Sequence, residues 1–225
     1  MRTVSREPGR LFSELPPARS IEPLAEGASL LRGFATEQAD GLVELIAIIT
    51  ANAPFRHLVT PGGRRMSVGM TNCGPFGWVS DLRGYRYEPA DPDSGEPWPP
   101  MPTPFERLAR EAAAEAGFPG FKPDGCLINC YEPGTRLTLH QDKDEKDPAA
   151  PIVSVSLGLP ATFLWGGMRR GDATRRIRLE SGDVAVWGGP ARFTYHGIAT
   201  LADGDHVLTG KRRFNLTFRR TGLTP

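Results

Sequence analysis

His140 and Asp142 stand two apart in Leu139-His140-Gln141-Asp142, at the end of an apolar run, and His196 follows in Tyr195-His196-Gly197. Side chains two apart on a strand point to one face, so the imidazole and the carboxylate are presented together. A His-x-Asp alone is a weak signal, because a lone strand histidine more often serves packing than a metal. Joined by a second histidine from another strand, it makes the facial triad of two imidazoles and one carboxylate that suits Fe(II) and leaves three positions open. The expectation is an iron centre at His140, Asp142 and His196.

The same parity test divides the last apolar segment. Arg213, Asn215, Thr217 and Arg219 fall on one face, and Phe214, Leu216 and Phe218 on the other. If the apolar face packs under helices, two arginines and an amide point into the fold, where a guanidinium requires an anionic partner. The competing reading leaves both arginines in solvent on an outer face. In 126–131, Asn129 and Tyr131 share a face with Leu127, either as hydrogen-bonding groups lining a cavity or as ordinary sheet residues.

These residues need a framework of strands. From Cys126 onward, short runs at 126–132, 136–141, 152–159, 161–165, 175–180, 183–188, 192–197 and 213–219 are broken by Gly, Pro or charged turns, the texture of a sandwich or jelly roll. Two helices precede them. One carries Leu42, Leu45, Ile46 and Ile49 and ends before Pro54. The other has Thr103 as N-cap, Pro104 at its first position, Glu106 closing a capping box and Gly117 as its stop. Its stripe is Phe105, Leu108, Ala112 and Ala116. The seven prolines between Glu88 and Pro104 exclude a central strand and read as a stiff surface loop or lid. The fold class is α+β, mainly β, a jelly roll with N-terminal covering helices.

Among 225 residues, 27 Lys+Arg against 26 Asp+Glu give a net charge of +1, too even to hold nucleic acid by bulk charge. Any polyanion site must be a local patch. Five arginines between Arg169 and Arg178, and a second basic run from Lys211 to Arg220, are the candidates. Three cysteines, Cys73, Cys126 and Cys130, lack metal-site spacing and give no disulfide framework, which points to a reducing compartment. The N-terminus is no secretory signal, and the best apolar run, Leu45 to Ile49, is far short of a membrane span. The expectation is a cytoplasmic monomer: a polar, disordered lead at 1–20, then one domain at 21–225, with a lid near 55–102 and a jelly-roll core near 126–220.

The stretches Val59-Thr60-Pro61-Gly62-Gly63, Met70-Thr71-Asn72-Cys73-Gly74, Leu139 to Glu145, Pro151 to Pro160 and Arg213 to Arg219 resemble the bacterial AlkB family of DNA-repair dioxygenases, and the likeness runs from about Ile21 to Thr221. The resemblance implies a double-stranded β-helix that uses Fe(II), 2-oxoglutarate and O2 to demethylate alkylated bases in DNA, single-stranded by preference, and in RNA. It makes His140, Asp142 and His196 the metal ligands. It gives Arg213 the far carboxylate of 2-oxoglutarate and Arg219 the carboxylate near iron, with Asn129, Tyr131 and Asn215 as supporting hydrogen bonds.

For the nucleic acid, the resemblance implies Trp78, Tyr85, Tyr87, Asp144 and Arg170. Trp78 would stack on an extruded base whose other face meets the His140 ring, Tyr85 and Tyr87 would reach phosphate or sugar, and Asp144 would favour cationic lesions such as 1-methyladenine and 3-methylcytosine. The sequence departs from the pattern at Cys130, where the family's best-known member has a basic residue, and at Trp165, where it has Phe. Cys130, of opposite parity to Asn129, is expected outside the cavity, and Trp165 to reshape it. Two other readings stand beside this one: an oxygenase acting on a protein or small molecule, and a non-catalytic jelly-roll binding module.

Overall fold

The computed structural model describes residues 19–224, so residues 1–18 of the lead lie outside the described residues. The described chain opens with a hairpin the sequence reading did not anticipate, β1 (Ser20–Ala25) and β2 (Ala28–Arg32), followed by α1 (Ala39–Asn52). Three strands, β3 (Gly69–Cys73), β4 (Gly77–Asp81) and β5 (Gly84–Glu88), precede α2 (Thr103–Glu115). The roll then runs through β6 (Gly125–Tyr131), β7 (Leu137–His140), β8 (Ile152–Gly158), β9 (Ala161–Trp165), β10 (Arg175–Leu179), β11 (Val184–Trp187), β12 (His196–Ile198) and β13 (Arg213–Arg219). The strands form a seven-stranded sheet in the order β1-β2-β11-β8-β13-β6-β3 and a four-stranded sheet in the order β10-β9-β12-β7, with β4-β5 a separate hairpin. Within the 55–102 span, β3 therefore extends the main sheet, and only the β4–β5 hairpin stands apart.

Both helices cover the outer face of the larger sheet. Leu42, Ile46 and Ile49 of α1 and Phe105, Leu108 and Ala112 of α2 share one core with Ile128, Val155, Val184, Phe214 and Leu216. A buried Phe or Leu of this kind contributes about 1.5–3 kcal/mol. The start of α2 differs from the sequence reading: Pro102 occupies the N-cap position, and no side chain caps the helix. Its carbonyl accepts from the Phe105 and Glu106 amides, and an extended proline needs no amide partner of its own. Gly117 ends the helix as expected, with φ +90°, letting the Phe118 amide reach the Ala113 carbonyl.

A second core lies between the sheets, built by Leu30, Leu127, Phe163, Leu179 and Trp187. β13 pairs with both β8 and β6, so all seven of its residues are buried. Its parity is resolved there: Phe214, Leu216 and Phe218 face the helices, which leaves Arg213, Asn215, Thr217 and Arg219 for the interior of the roll. The expected strand at 192–197 is displaced. Residues Gly189–Ala191 form a 3-10 turn and β12 begins only at His196, because Arg192 turns inward to the Glu145 carboxylate and the Asp142 and Ala150 carbonyls.

Candidate active site

β7 and β12 are antiparallel neighbours with His140 opposite His196, which brings the two imidazoles to 4.4 Å between ring centroids. Asp142 follows β7 by two residues. Its Oδ1 lies 3.7 Å from His140 Nε2 and its Oδ2 3.8 Å from His196 Nε2, and one ligand atom from each of the three residues lies within 4.8 Å of the others. Nδ1 of each ring is turned to a backbone carbonyl, Thr138 at 2.9 Å and Thr194 at 3.0 Å. A ring that donates from Nδ1 carries its free lone pair on Nε2, the atom aimed at the common point. Burial, followed by the neighbouring His140, lowers the pKa of His196 to about 4, so that ring is neutral and competent as a ligand. Burial alone would raise the pKa of Asp142. Arg219 and the two histidines outweigh it and hold the carboxyl well below its ordinary range.

Above the triad, Arg213 is 1% exposed. Its Nη2 donates to Ser156 Oγ at 3.0 Å and its guanidinium lies 4.8 Å from the Tyr131 ring centre. Nε and Nη1 have no partner. Burial pulls its pKa down, opposed by Tyr131. A guanidinium buried without a carboxylate is costly, and the cost is removed by an anion. Arg219 is differently placed: Nη2 reaches Asp142 Oδ1 at 2.9 Å and Nε reaches Glu145 Oε1 at 3.3 Å, leaving Nη1 unpartnered. Asn215 is saturated, donating to Ser154 Oγ and the Val155 carbonyl and accepting from Asn129 and Thr217. Asn129 keeps its Oδ1 free.

The expected site residues, Tyr87 excepted, line one cavity of about 580 Å³. At its mouth Trp78 stacks on Tyr85, 5.5 Å between centroids, and donates its indole N–H to Asp144 Oδ2 at 2.8 Å. Gly77 lets this hairpin close down, because a Cβ there would meet the Trp98 ring at 2.3 Å. Arg170 is exposed beside the opening. Tyr87, expected at phosphate or sugar, instead turns its hydroxyl inward to Glu145 Oε1, and burial raises its pKa well above the ordinary phenol value. Cys130 packs on the helix side, as its parity requires. Trp165 does not line the cavity but buttresses Trp187, ring edge to face at 6.0 Å.

Four participating residues escaped the sequence reading. Trp187 packs on His196 at 4.7 Å between ring centroids, with its indole N–H unpartnered, and the parity test applied to β11 would have found it. Ser156 holds Arg213 and shares its strand face with Ser154. Glu145 and Arg192 form a pair at 2.8 Å with both side chains 2% exposed. Nothing local in the sequence marks that pair, since its partners are 47 residues apart.

Residues 27–219 match the family model of the 2OG-Fe(II) oxygenase superfamily. The chain is 54% identical, over 94% of its length and 97% of the relative's, to the alpha-ketoglutarate-dependent dioxygenase AlkB of Escherichia coli K12. A more distant relative, the DNA N(6)-methyladenine demethylase ALKBH1C of Arabidopsis thaliana, is 32% identical over 60% of this chain and 35% of its own. Among solved structures, OsALKBH1 superimposes with a TM-score of 0.77 at 27% identity, covering 89% of this chain and all of that one. Iron ligands, orphaned guanidinium and strand order thus coincide with a match that spans the roll, and the chain belongs to the 2OG-Fe(II) oxygenase superfamily, within the AlkB family.

Proposed function

We propose that this protein removes N-linked methyl groups from bases in DNA, with single strands preferred, and in RNA, using Fe(II), 2-oxoglutarate and O2. One observation carries the reading: a single cavity joins a three-ligand metal site, a buried guanidinium with two unpartnered nitrogens, and an aromatic pair at its mouth. His140, Asp142 and His196 hold the iron in this reading. Two neutral-type nitrogens and one carboxylate, converging from one face, suit that ion. Arg213 fits the distal carboxylate of 2-oxoglutarate, since its free Nε and Nη1 offer the fork a carboxylate takes bidentately. Asn129, Tyr131 and Asn215 line the path between, and the free Nη1 of Arg219 faces the nearer end.

Iron and 2-oxoglutarate together supply the oxidation: 2-oxoglutarate and O2 become succinate and CO2 as one oxygen atom enters the N-methyl group, which then leaves as formaldehyde. The chain's own residues supply position and field. Trp78 stacks on the extruded base, the His140 ring lies on the other side, and Tyr85 backs Trp78 from the solvent side. Asp144 places a carboxylate where a base made cationic by methylation gains attraction. Arg219 and Glu145 hold Asp142 in its orientation, and the inward Tyr87 hydroxyl fixes Glu145.

We also infer a cytoplasmic monomer. The three thiols are free and buried, and no helix among the described residues is long and apolar enough to cross a membrane. Formaldehyde release, assayed on a panel of oligonucleotides carrying 1-methyladenine, 3-methylcytosine, 1-methylguanine or 3-methylthymine, tests the function. Release from the cationic bases supports it. Turnover of 2-oxoglutarate unaltered by every oligonucleotide would assign the oxygenase to a protein or small molecule.

A further inference from the structure

The stretch Met70–Gly74 is one of those that carry the family resemblance, yet the proposed reaction uses none of its residues. Asn72 is its least expected member: an amide in the middle of a strand buried throughout, itself 2% exposed. Period two assigns its direction. Cys73 belongs to the core under the helices, whereas Met70 and Leu127, the register partner of Asn72, belong to the core between the sheets. Asn72 therefore points into the roll, where a buried amide needs partners for its donor and its acceptor.

Both partners belong to one residue. Asn72 Oδ1 accepts from the Trp78 amide at 3.0 Å, and Asn72 Nδ2 donates to the Trp78 carbonyl at 3.0 Å. Among the described residues β4 and β5 pair only with each other, with Trp78 opposite Tyr87. A two-stranded ribbon leaves the outward amides and carbonyls of each strand unpaired, and at Trp78 the side chain of Asn72 stands in for the missing strand. Gly77 permits the approach, since a Cβ there would lie 2.9 Å from that of Asn72. The other ties of the hairpin fall elsewhere: Ser80 Oγ donates to the Val59 carbonyl at 2.7 Å, and the Trp98 indole to the Glu88 carbonyl at 2.9 Å. The bond from the Trp78 indole to Asp144 lies on the cavity side and is open to competition from a bound base. The two bonds to Asn72 are made by the Trp78 backbone and persist whatever the indole does.

We propose that Asn72 is the positioning residue for Trp78: by gripping the amide and the carbonyl of that one residue, it fixes the indole at the height and tilt at which a base stacks. The inference rests on the base-stacking reading of Trp78 and goes beyond it, because it places control of the stacking in a side chain that touches no base. Asn72 lines the small cavity behind the hairpin, with Arg56 and Trp98, and not the one that holds the triad. An apolar side chain of similar size would fill the same space, but it would leave the Trp78 amide and carbonyl without this partner.

The test is a double-mutant cycle on binding. The protein is loaded with 2-oxoglutarate and with Mn(II), which prevents turnover. Its affinity for a fluorescent single strand containing one 3-methylcytosine is then measured by anisotropy for wild type, Asn72→Ala, Trp78→Ala and the double variant. Losing a stacked base weakens single-strand binding by roughly 5- to 150-fold, so Trp78→Ala should fall in that range and Asn72→Ala should weaken binding about tenfold. In the Trp78→Ala background the same change at Asn72 should have almost no effect, since no indole remains to be placed. Asn72→Ser, whose hydroxyl stops short of the Trp78 backbone, is carried through the same cycle and should behave alike even if the alanine variant folds poorly. An effect at Asn72 of equal size with and without the indole would make the residue structural only and overturn the proposal, as would wild-type affinity in both Asn72 variants. Wild-type affinity in Trp78→Ala would instead refute the base-stacking reading, and the proposal with it.

Discussion

Trp78 donates its indole N–H to Asp144 Oδ2 at 2.8 Å, fastening the β4–β5 hairpin to the loop that begins at Asp142. A second tie, Tyr87 to Glu145, reaches the same loop one residue further on. The residue proposed to stack on the base and the residue proposed to sense its charge are therefore bonded to each other before any base arrives. An extruded base that offers its own amino group to Asp144 competes for an acceptor already in use, and a positive charge on that base favours the exchange.

Asp144→Asn keeps the shape and an acceptor for Trp78 but removes the charge. The specificity constant for 3-methylcytosine should fall relative to that for 3-methylthymine by roughly 1–2 kcal/mol, as suits a partly desolvated site. The check is the ratio of the two specificity constants in otherwise identical single strands, and an unchanged ratio would remove Asp144 from lesion reading.

Arg213→Met separates stability from function. Replacing a buried unpaired guanidinium by an apolar chain of similar length should stabilise the ligand-free protein, by about 1–4 kcal/mol if it behaves like other buried charges replaced in this way. Mn(II) in place of Fe(II) prevents turnover, so melting temperature can be followed as 2-oxoglutarate is added. Wild type should rise with 2-oxoglutarate, and the variant should start higher and stay flat.

The Tyr87–Glu145–Arg192 cluster is a buried charge network holding Arg219 and, through it, Asp142. Glu145→Gln leaves two guanidinium groups short of a carboxylate and should cost about 3–5 kcal/mol. Tyr87→Phe removes a single bond to a charged acceptor and should cost about 1.5–3 kcal/mol. Urea denaturation of both single variants and the double variant measures the coupling, which should be well above zero because the two groups share a bond.

Burial pushes the Cys130 thiol up to about 11, opposed by Arg212 and assisted by Glu132. Because the folded value lies above the unfolded one, the folded state binds the extra proton between pH 9 and 11, and stability falls as pH rises through that window. At about 1.4 kcal/mol per pKa unit, the loss should be roughly 2–3 kcal/mol. Cys130→Ala should flatten this part of the stability–pH curve relative to wild type, measured by denaturant unfolding at each pH.

β13 shows how much period-two reasoning reaches. Its alternation of Arg, Asn, Thr and Arg with Phe, Leu and Phe separated the two faces but left the polar one either inside the roll or in solvent, and the burial of both faces in the fold decides for the interior. The triad was legible from its residue types and spacing, although Asp142 lies two residues past the end of β7 and the register that opposes His140 to His196 is set by the fold. What escaped depends on partners far apart in the chain. Glu145 and Arg192 look like ordinary turn residues until they meet, and of the cations that line the cavity mouth only Arg170 falls in a conspicuous basic run, while Arg64, Arg65, Arg136 and Lys143 are scattered where no run marks them. Thr103 looked like a helix cap because Ser or Thr before Pro often is one. The structure puts Pro102 there, and one residue is within the margin by which helix ends shift.

The central claim is that oxidation at the His140, Asp142 and His196 site is coupled to removal of a methyl group from a base stacked on Trp78. Its most direct measurement is a mass spectrum of a single strand containing one 3-methylcytosine, taken beside a succinate assay during a stoichiometric reaction with Fe(II), 2-oxoglutarate and O2. The account predicts that the strand loses the mass of one methylene group and that succinate appears in equal amount. It predicts that Trp78→Ala forms succinate without that loss of mass. Succinate from wild type with the strand unchanged in mass would contradict it.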